Sequence, residues 1–242
     1  MGMTKVLRKI SSRNAKCAAI IVAAGTASRM KGTDKIMADL CGEPALLHAL
    51  RPFEECEAIT QIIIVTREDL LEPISKLCIQ KQLTKVAKVV LGGQTRAESV
   101  QLGLDWVDKK CSYVAIHDGA RPLVTEKIIH EAICKAAKFG AAAPAVPVKD
   151  TIKTAHGGIV ESTPDRSALY AVQTPQVFYL PVYRAALDKA ISEKKPVTDD
   201  CSAAEAFGVR VCLTEGSDEN IKITTPSDLI VAEALLTGRK KK

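Results

Sequence analysis

The chain has 242 residues, of which 47% are hydrophobic and 26% charged, with a formal charge of +6 at pH 7. That length supports a substantial core, and the ordinary globular composition excludes a fibre or a disordered chain. Much of the positive excess lies in Lys5, Arg8, Lys9, Arg13 and Lys16 at one end and in 239–242 at the other, while aromatic residues are only 4%; this reads as solvated tails, not as a nucleic-acid surface built on stacking rings.

Residues 1–16 are polar, basic and without a sustained period, and read as a flexible extension. They lack the apolar h-region of a secretory leader, and no apolar run in the chain reaches membrane-spanning length. An apolar run at 18–23 has the character of a strand buried on both faces of a parallel sheet. It stops at Ala24-Gly25, which leave the backbone open at the strand's carboxyl end, and Arg29, Lys31 and Lys35 follow. In open α/β sheets ligands sit at this edge, and clustered Arg and Lys favour a multiply anionic one. A plain solvated loop is the alternative, and neither common phosphate fingerprint is present.

Residues 44–53 read as a helix with Leu46, Leu47 and Leu50 on one face, 62–66 as a strand, 70–81 as a helix and 86–91 as a strand. The last ends at Gly92-Gly93-Gln94, where Thr95 and Glu98 form a capping box for a helix that turns Val100, Leu104 and Val107 inward. Arg96 and Ser99 lie in its first turn. A cation there opposes the helix dipole, so Arg96 either faces an anion or pairs with a carboxylate such as Glu98.

A strand at 113–116 runs into His117-Asp118-Gly119-Ala120-Arg121-Pro122, followed by a helix at 125–139 and a strand-like run at 141–148. The alternation implies right-handed crossovers and a three-layer α/β fold, with a mainly parallel, Rossmann-like twisted sheet covered on both faces. Segments 151–154 and 159–161 then flank Ala155-His156-Gly157-Gly158 as a β-hairpin. Alone it is marginal, which predicts that it packs on a second subunit. Helices at 180–193 and 200–207, a strand at 210–214 and a helix opening at Thr225-Pro226 complete the chain, with Thr225 as N-cap and Pro226 at N1. The expected organisation is an extension at 1–16, one domain at 17–236 with an arm at 150–168, and a basic tail at 237–242. Eight cysteines without a C-x-x-C pair argue against zinc and read as reduced thiols in a cytoplasmic protein.

The motifs A-A-G-T-A-S-R-M, G-G-Q-T-R-A-E-S-V, H-D-G-A-R-P, V-K-D-T-I-K, D-R, Q-T-P-Q, T-D-D and D-E-N-I-K-I-T-T-P-S-D-L occur in that order. Together they resemble the 2-C-methyl-D-erythritol 4-phosphate cytidylyltransferase family, among the sugar-phosphate nucleotidyltransferases, over roughly 16–236. The resemblance implies that a sugar-phosphate oxygen attacks the α-phosphorus of CTP and that pyrophosphate leaves. Such a nucleophile is already ionised, so alignment and charge neutralisation replace a general base.

By the same resemblance Arg29, Lys35 and Lys222 would be the catalytic cations, and Asp118 would hold Mg²⁺, completed by substrate oxygens and water. Ala23, Ala24, Gly25, Gly93, Gln94, Arg96 and Ser99 would form the nucleotide pocket. Arg121, Thr151, Arg166 and Thr174 would bind methylerythritol phosphate, with the hairpin arm crossing to the other protomer of a homodimer. His117 reads as a buried, hydrogen-bonded side chain, and Asp199 with Asp200 as a helix cap. Three departures from the family pattern, Ala27, a shortened loop with Asp34, and Gln94, predict weaker or altered CTP affinity. Two other readings are ribitol 5-phosphate as acceptor, and a nucleotide-binding regulator without turnover. Retention of Arg29, Lys35, Asp118 and Lys222 together speaks against the regulator, because a passive binder has no transition state to neutralise.

Overall fold

A computed structural model describes residues 16–25 and 34–239. The expectations for the extension before Lys16, for Arg29 and the loop around Ala27, and for tail residues 240–242 lie outside the described residues.

Apolar runs too continuous to face water on one side set the centre of the molecule. Strand β1 (Cys17–Ala23) has almost no exposed side chain, as expected of a central parallel strand. It lies between β4 (Ile59–Thr66) and β6 (Tyr113–Asp118), parallel to both. Strand β5 (Val86–Leu91) extends the sheet beyond β4. The chain thus builds outward from β1 to β5 and then returns to the other side of β1 as β6. The carboxyl ends of β1 and β6 therefore flank a topological switch point, where open α/β sheets form their ligand crevice.

The rest of the sheet is less local. Its order is β10-β7-β11-β6-β1-β4-β5, with β12 (Cys212–Glu215) beside β7 (Ala141–Pro147). Strand β11 (Gln176–Tyr179) is antiparallel to both β6 and β7, and β10 (Tyr170–Val172) is antiparallel to the far part of β7. Neither was expected from the sequence, because each is too short to show an alternating period over its own length. The same holds for the two-residue strands β2 (Asp39–Leu40) and β3 (Glu43–Pro44), which make a small separate ribbon.

Helices cover both faces. On one, α1 (Ala45–Glu55), α2 (Glu68–Gln80) and α4 (Glu126–Phe139) place Leu46, Leu50, Phe53, Ile74 and Ile129 against Ala19, Ile21 and Ile64. On the other, α3 (Arg96–Leu104), α5 (Leu180–Ser192) and α6 (Asp200–Ala206) place Val100, Leu104, Tyr183, Leu187 and Ala204 against Ile20, Ile63 and Val65. Helix α3 stops at Leu104, so Val107 is buried from the turn beyond it. Helix α7 (Pro226–Arg239) packs on a small cluster of Leu40, Ala45, Leu123 and Ile223. Pro226 opens it as expected, but the carboxylate of Asp228 accepts from the Thr224 and Thr225 amides and so closes its first turn.

The hairpin forms, with β8 (Thr154–His156) and β9 (Ile159–Ser162) joined by Gly157-Gly158, both at positive φ. Two such residues in a two-residue loop are the mark of the mirror-image turn that matches strand twist. The first strand begins at Thr154, and Thr151 lies in the irregular lead-in. Every residue of both strands is exposed, including Ile159 and Val160.

Candidate active site

Three loops converge at the switch point. The first follows β1, whose Ala23, Ala24 and Gly25 bring backbone and little else to the edge. The second joins β5 to α3 and must pass close to the first. A Cβ on Gly92 would lie 2.6 Å from the Cβ of Ala24 and 2.9 Å from Ser99 Oγ, and one on Gly93 would lie 2.5 Å from Glu98 Cβ. The double glycine is thus a requirement of close approach.

Buried Ser99 fastens this loop from inside, its Oγ accepting from the Gly93 amide (3.1 Å) and donating to the Thr95 carbonyl (2.9 Å). The expected capping box is present, and Glu98 also accepts from the Gln94 amide (2.8 Å). The amides of 93–95 are therefore satisfied within the loop, so any ligand contact made here falls to its other groups.

The third loop leaves β6 at Asp118, whose carboxylate faces three cations. Oδ2 lies 2.8 Å from Lys222 Nζ and 3.8 Å from Arg121 Nε, and Oδ1 lies 3.3 Å from Arg96 Nε. Burial alone would push this carboxyl up, but the attraction of Arg96 and of hydrogen-bonded Lys222, with Arg121 behind them, holds it well below the usual carboxylate range.

Arg96 is shared between two acids. Asp118 is one, and Asp200, 2.7 Å from its Nη2, is the other. Burial opposes its charge, yet Asp200 and Asp118 together raise its affinity for the proton. Glu98, the partner suggested by proximity in sequence, is committed to the cap.

Lys222 comes from the segment before α7, which is pinned where the Ile223 amide donates to the Ala120 carbonyl (2.8 Å). Asn220 fixes the same segment from below, its fully buried side-chain amide donating to Gln173 and to the Thr174 carbonyl (3.1 Å each).

These loops enclose a cavity of about 420 Å³ lined by, among others, Ala23, Ala24, Gly25, Lys35, Gly93, Gln94, Arg96, Ser99, Asp118 and Lys222. Ten of the residues expected at the site thus meet in one place. Val22, Ile36, Thr95 and Ala120 also line it; they are apolar or capping residues that carry no chemical signal in sequence. Three cations around one carboxylate suit an anionic, phosphate-bearing ligand.

Four expected residues sit elsewhere. Arg121 lies behind Asp118, its Nη1 donating to the Asn220 carbonyl (2.7 Å) and so tying the β6 loop to the Lys222 segment. Thr174 is buried beneath the site, its Oγ1 accepting from the Asp118 amide (3.1 Å) and meeting His117 Nδ1 at 2.9 Å. Thr151 and Arg166 are on the exposed arm, where Arg166 Nη1 donates to the Lys149 carbonyl (2.8 Å). Neither lines the cavity.

His117 is fully buried, and burial lowers its pKa to about 3, so it is a neutral structural group. Asp199 and Asp200 divide the role expected of them jointly: Asp199 caps α6 by accepting from Ser202 N (2.8 Å), while Asp200 turns inward to Arg96.

Among the described residues no three His, Cys, Asp or Glu side chains gather as a metal cage. A single ionised Asp118 at a cavity suited to phosphates nonetheless fits Mg²⁺, which is commonly held by one or two carboxylates with substrate oxygens and water. No helix among the described residues is long and apolar enough to cross a membrane.

The family model for 2-C-methyl-D-erythritol 4-phosphate cytidylyltransferase matches residues 17–238. Proteins of that name from Caldanaerobacter subterraneus subsp. tengcongensis and Halalkalibacterium halodurans are 47% and 44% identical, covering 90% and 92% of this chain and 97% and 98% of their own. The crystal structure of 4-diphosphocytidyl-2C-methyl-D-erythritol synthase from Anaerococcus prevotii superposes with a TM-score of 0.83 at 31% identity, covering 93% of this chain and 97% of that one.

Proposed function

The chain belongs to the 2-C-methyl-D-erythritol 4-phosphate cytidylyltransferase family and has its activity, and from that premise we propose that the cavity at the ends of β1 and β6 is where the cytidylyl group is transferred. The observation that carries this is Asp118 held ionised among Arg96, Lys222 and Arg121 on the wall of that cavity. The comparisons do not favour ribitol phosphate as acceptor or a regulator without turnover.

In this reading the nucleoside triphosphate lies over Ala23, Ala24 and Gly25, with Gly93, Gln94, Arg96 and Ser99 on its far side. Lys35 and Lys222, joined by Arg29, neutralise its phosphates. An ionised phosphate oxygen of the acceptor attacks the α-phosphorus, a new P–O bond forms, and the bond to the bridging oxygen breaks, so that pyrophosphate leaves with the electron pair. No proton need be removed, which agrees with a neutral, buried His117. The cations act by stabilising charge that grows on the α-phosphate and the leaving group. Asp118 would hold Mg²⁺, which when bound supplies further neutralisation of the triphosphate.

Pyrophosphate release tests this. Turnover is expected with CTP and methylerythritol 4-phosphate, not with ribitol 5-phosphate or without acceptor, and should vanish on chelation and return with Mg²⁺. Undiminished turnover in excess chelator would remove the metal from the mechanism.

The arm belongs to the same proposal. Its apolar Ile159 and Val160 are 75% and 55% exposed in one protomer, and a hairpin this small needs a packing surface. We assign that surface to a second copy in a homodimer, with Thr151 and Arg166 completing the acceptor site across the interface. Arg166→Ala and Lys35→Ala chains, each expected to be inactive alone, should regain about a quarter of normal activity when co-expressed, because half the dimers are mixed and each mixed dimer rebuilds one intact site. No recovery would sink the shared site. The scatter of eight cysteines without a C-x-x-C pair supports assigning the chain to a reducing, cytoplasmic setting.

A further inference from the structure

Asp200 is an expensive residue to bury. It is 1% exposed, and a carboxylate removed from water is strongly disfavoured unless it is paired. Nor does the helix it begins require it, since Asp199 alone supplies the cap. Its two oxygens are directed to different partners. Oδ1 accepts from the hydroxyl of Tyr183 at 2.6 Å, while Oδ2 lies 2.7 Å from Arg96 Nη2 as an ion pair rather than an aligned hydrogen bond. Tyr183 is itself rigid, being 1% exposed and stacked on Phe178 with ring centroids 4.4 Å apart.

We propose that Asp200, oriented by Tyr183, is a positioning residue that acts through Arg96: it draws the guanidinium back from Asp118 and fixes it on the wall of the nucleotide cavity. This rests on the reading that the cavity takes CTP. The geometry shows Arg96 held between the two acids, its Nη2 2.7 Å from Asp200 while its Nε keeps only a long, single hydrogen bond of 3.3 Å to Asp118 Oδ1.

The arrangement has a chemical reason. A guanidinium facing one nearby carboxylate tends to close on it in a two-pronged pair, which would spend the cation and occupy the oxygens of Asp118. With a second carboxylate behind it, Arg96 stays at the wall and Asp118 keeps acceptor capacity toward the cavity. The three groups come from separate elements, α3, β6 and α6, so their relative placement is set by the packed fold rather than by one loop.

The test is CTP binding by calorimetry, alongside steady-state kinetics. Asp200→Asn keeps shape and an acceptor for Tyr183 but removes the charge. It should weaken CTP binding about tenfold while the KM for the acceptor stays within twofold. Tyr183→Phe, which removes only the hydroxyl, should shift CTP affinity the same way by about threefold. On an Arg96→Gln background the Asp200→Asn change should add nothing, because the group it acts through is gone. A folded Asp200→Asn protein with CTP affinity within twofold of normal would overturn the proposal, as would a full additional loss on the Arg96→Gln background. If Asp200→Asn does not fold, unchanged CTP affinity in Tyr183→Phe overturns it. Failure of the unaltered protein to bind CTP would instead reject the functional reading on which this one stands.

Discussion

Asp118→Asn is expected to destabilise the protein by about 3 kcal/mol and to reduce turnover by two orders of magnitude or more. The stability figure follows from removing a buried charge that faces three cations: the carboxylate side chain is 11% exposed with Arg96, Arg121 and Lys222 about it, and breaking a buried pair from one side costs about 3–5 kcal/mol. The lower end applies because the cations have other resources. Arg96 keeps Asp200, Arg121 keeps the Asn220 carbonyl, and Lys222, 39% exposed, can turn to water.

The pH dependence has a definite sign. Asp118 has its folded pKa depressed below its unfolded value, so its contribution is fully present above the unfolded pKa, about 4, and is lost as the pH falls toward the folded one. Urea unfolding should therefore show a constant gap between the unaltered protein and the Asp118→Asn variant from about pH 5 to 8, narrowing below about pH 4. A gap that widens on acidification would mean that burial, not the cations, governs Asp118.

How far these features could be read from sequence depended on whether their causes were local. Strand β1 and the capping box of Thr95 and Glu98 were legible, since apolar continuity and a three-residue spacing are properties of adjacent residues. Strand β11 was not, because what makes Gln176–Tyr179 a strand is the pair of edges offered by β6 and β7. The site divides in the same way. Gly25, Gly93, Asp118 and Lys222 carried motif signals and do line the cavity. The partner of Arg96 did not, because Asp200 reaches it from a distant helix while the acid nearest in sequence is used elsewhere. Thr174 and Arg121 also carried motif signals, but their contacts with the Asp118 amide and the Asn220 carbonyl join segments distant in sequence and had no local mark.

Lys35→Ala is the second large effect expected, with kcat lowered about 100- to 1000-fold, or about 2.7–4 kcal/mol of transition-state stabilisation. Its position argues for a role in the chemistry. Asp34, one of the departures from the family pattern, is a local anchor: its Oδ1 accepts from the amides of Ile36 (2.7 Å) and Met37 (3.1 Å), and its Oδ2 is paired with Arg67. That departure therefore builds a turn instead of removing one, and it presents Lys35 to the cavity, where a Cβ added to Gly25 would come within 3.9 Å of the Lys35 ammonium. A cation beside the backbone at the end of β1 is suited to charge that increases as the α-phosphate is attacked. If that is its function, the CTP dissociation constant should rise less than about tenfold, far less than kcat falls, because the interaction is stronger in the transition state than in the bound nucleotide. Lys35→Arg should recover only part of the rate, since a planar fork does not replace a compact ammonium at a single oxygen. Should kcat persist while CTP affinity drops a hundredfold, Lys35 would be a nucleotide anchor, and the neutralisation of the developing charge would fall to Lys222 and Arg29.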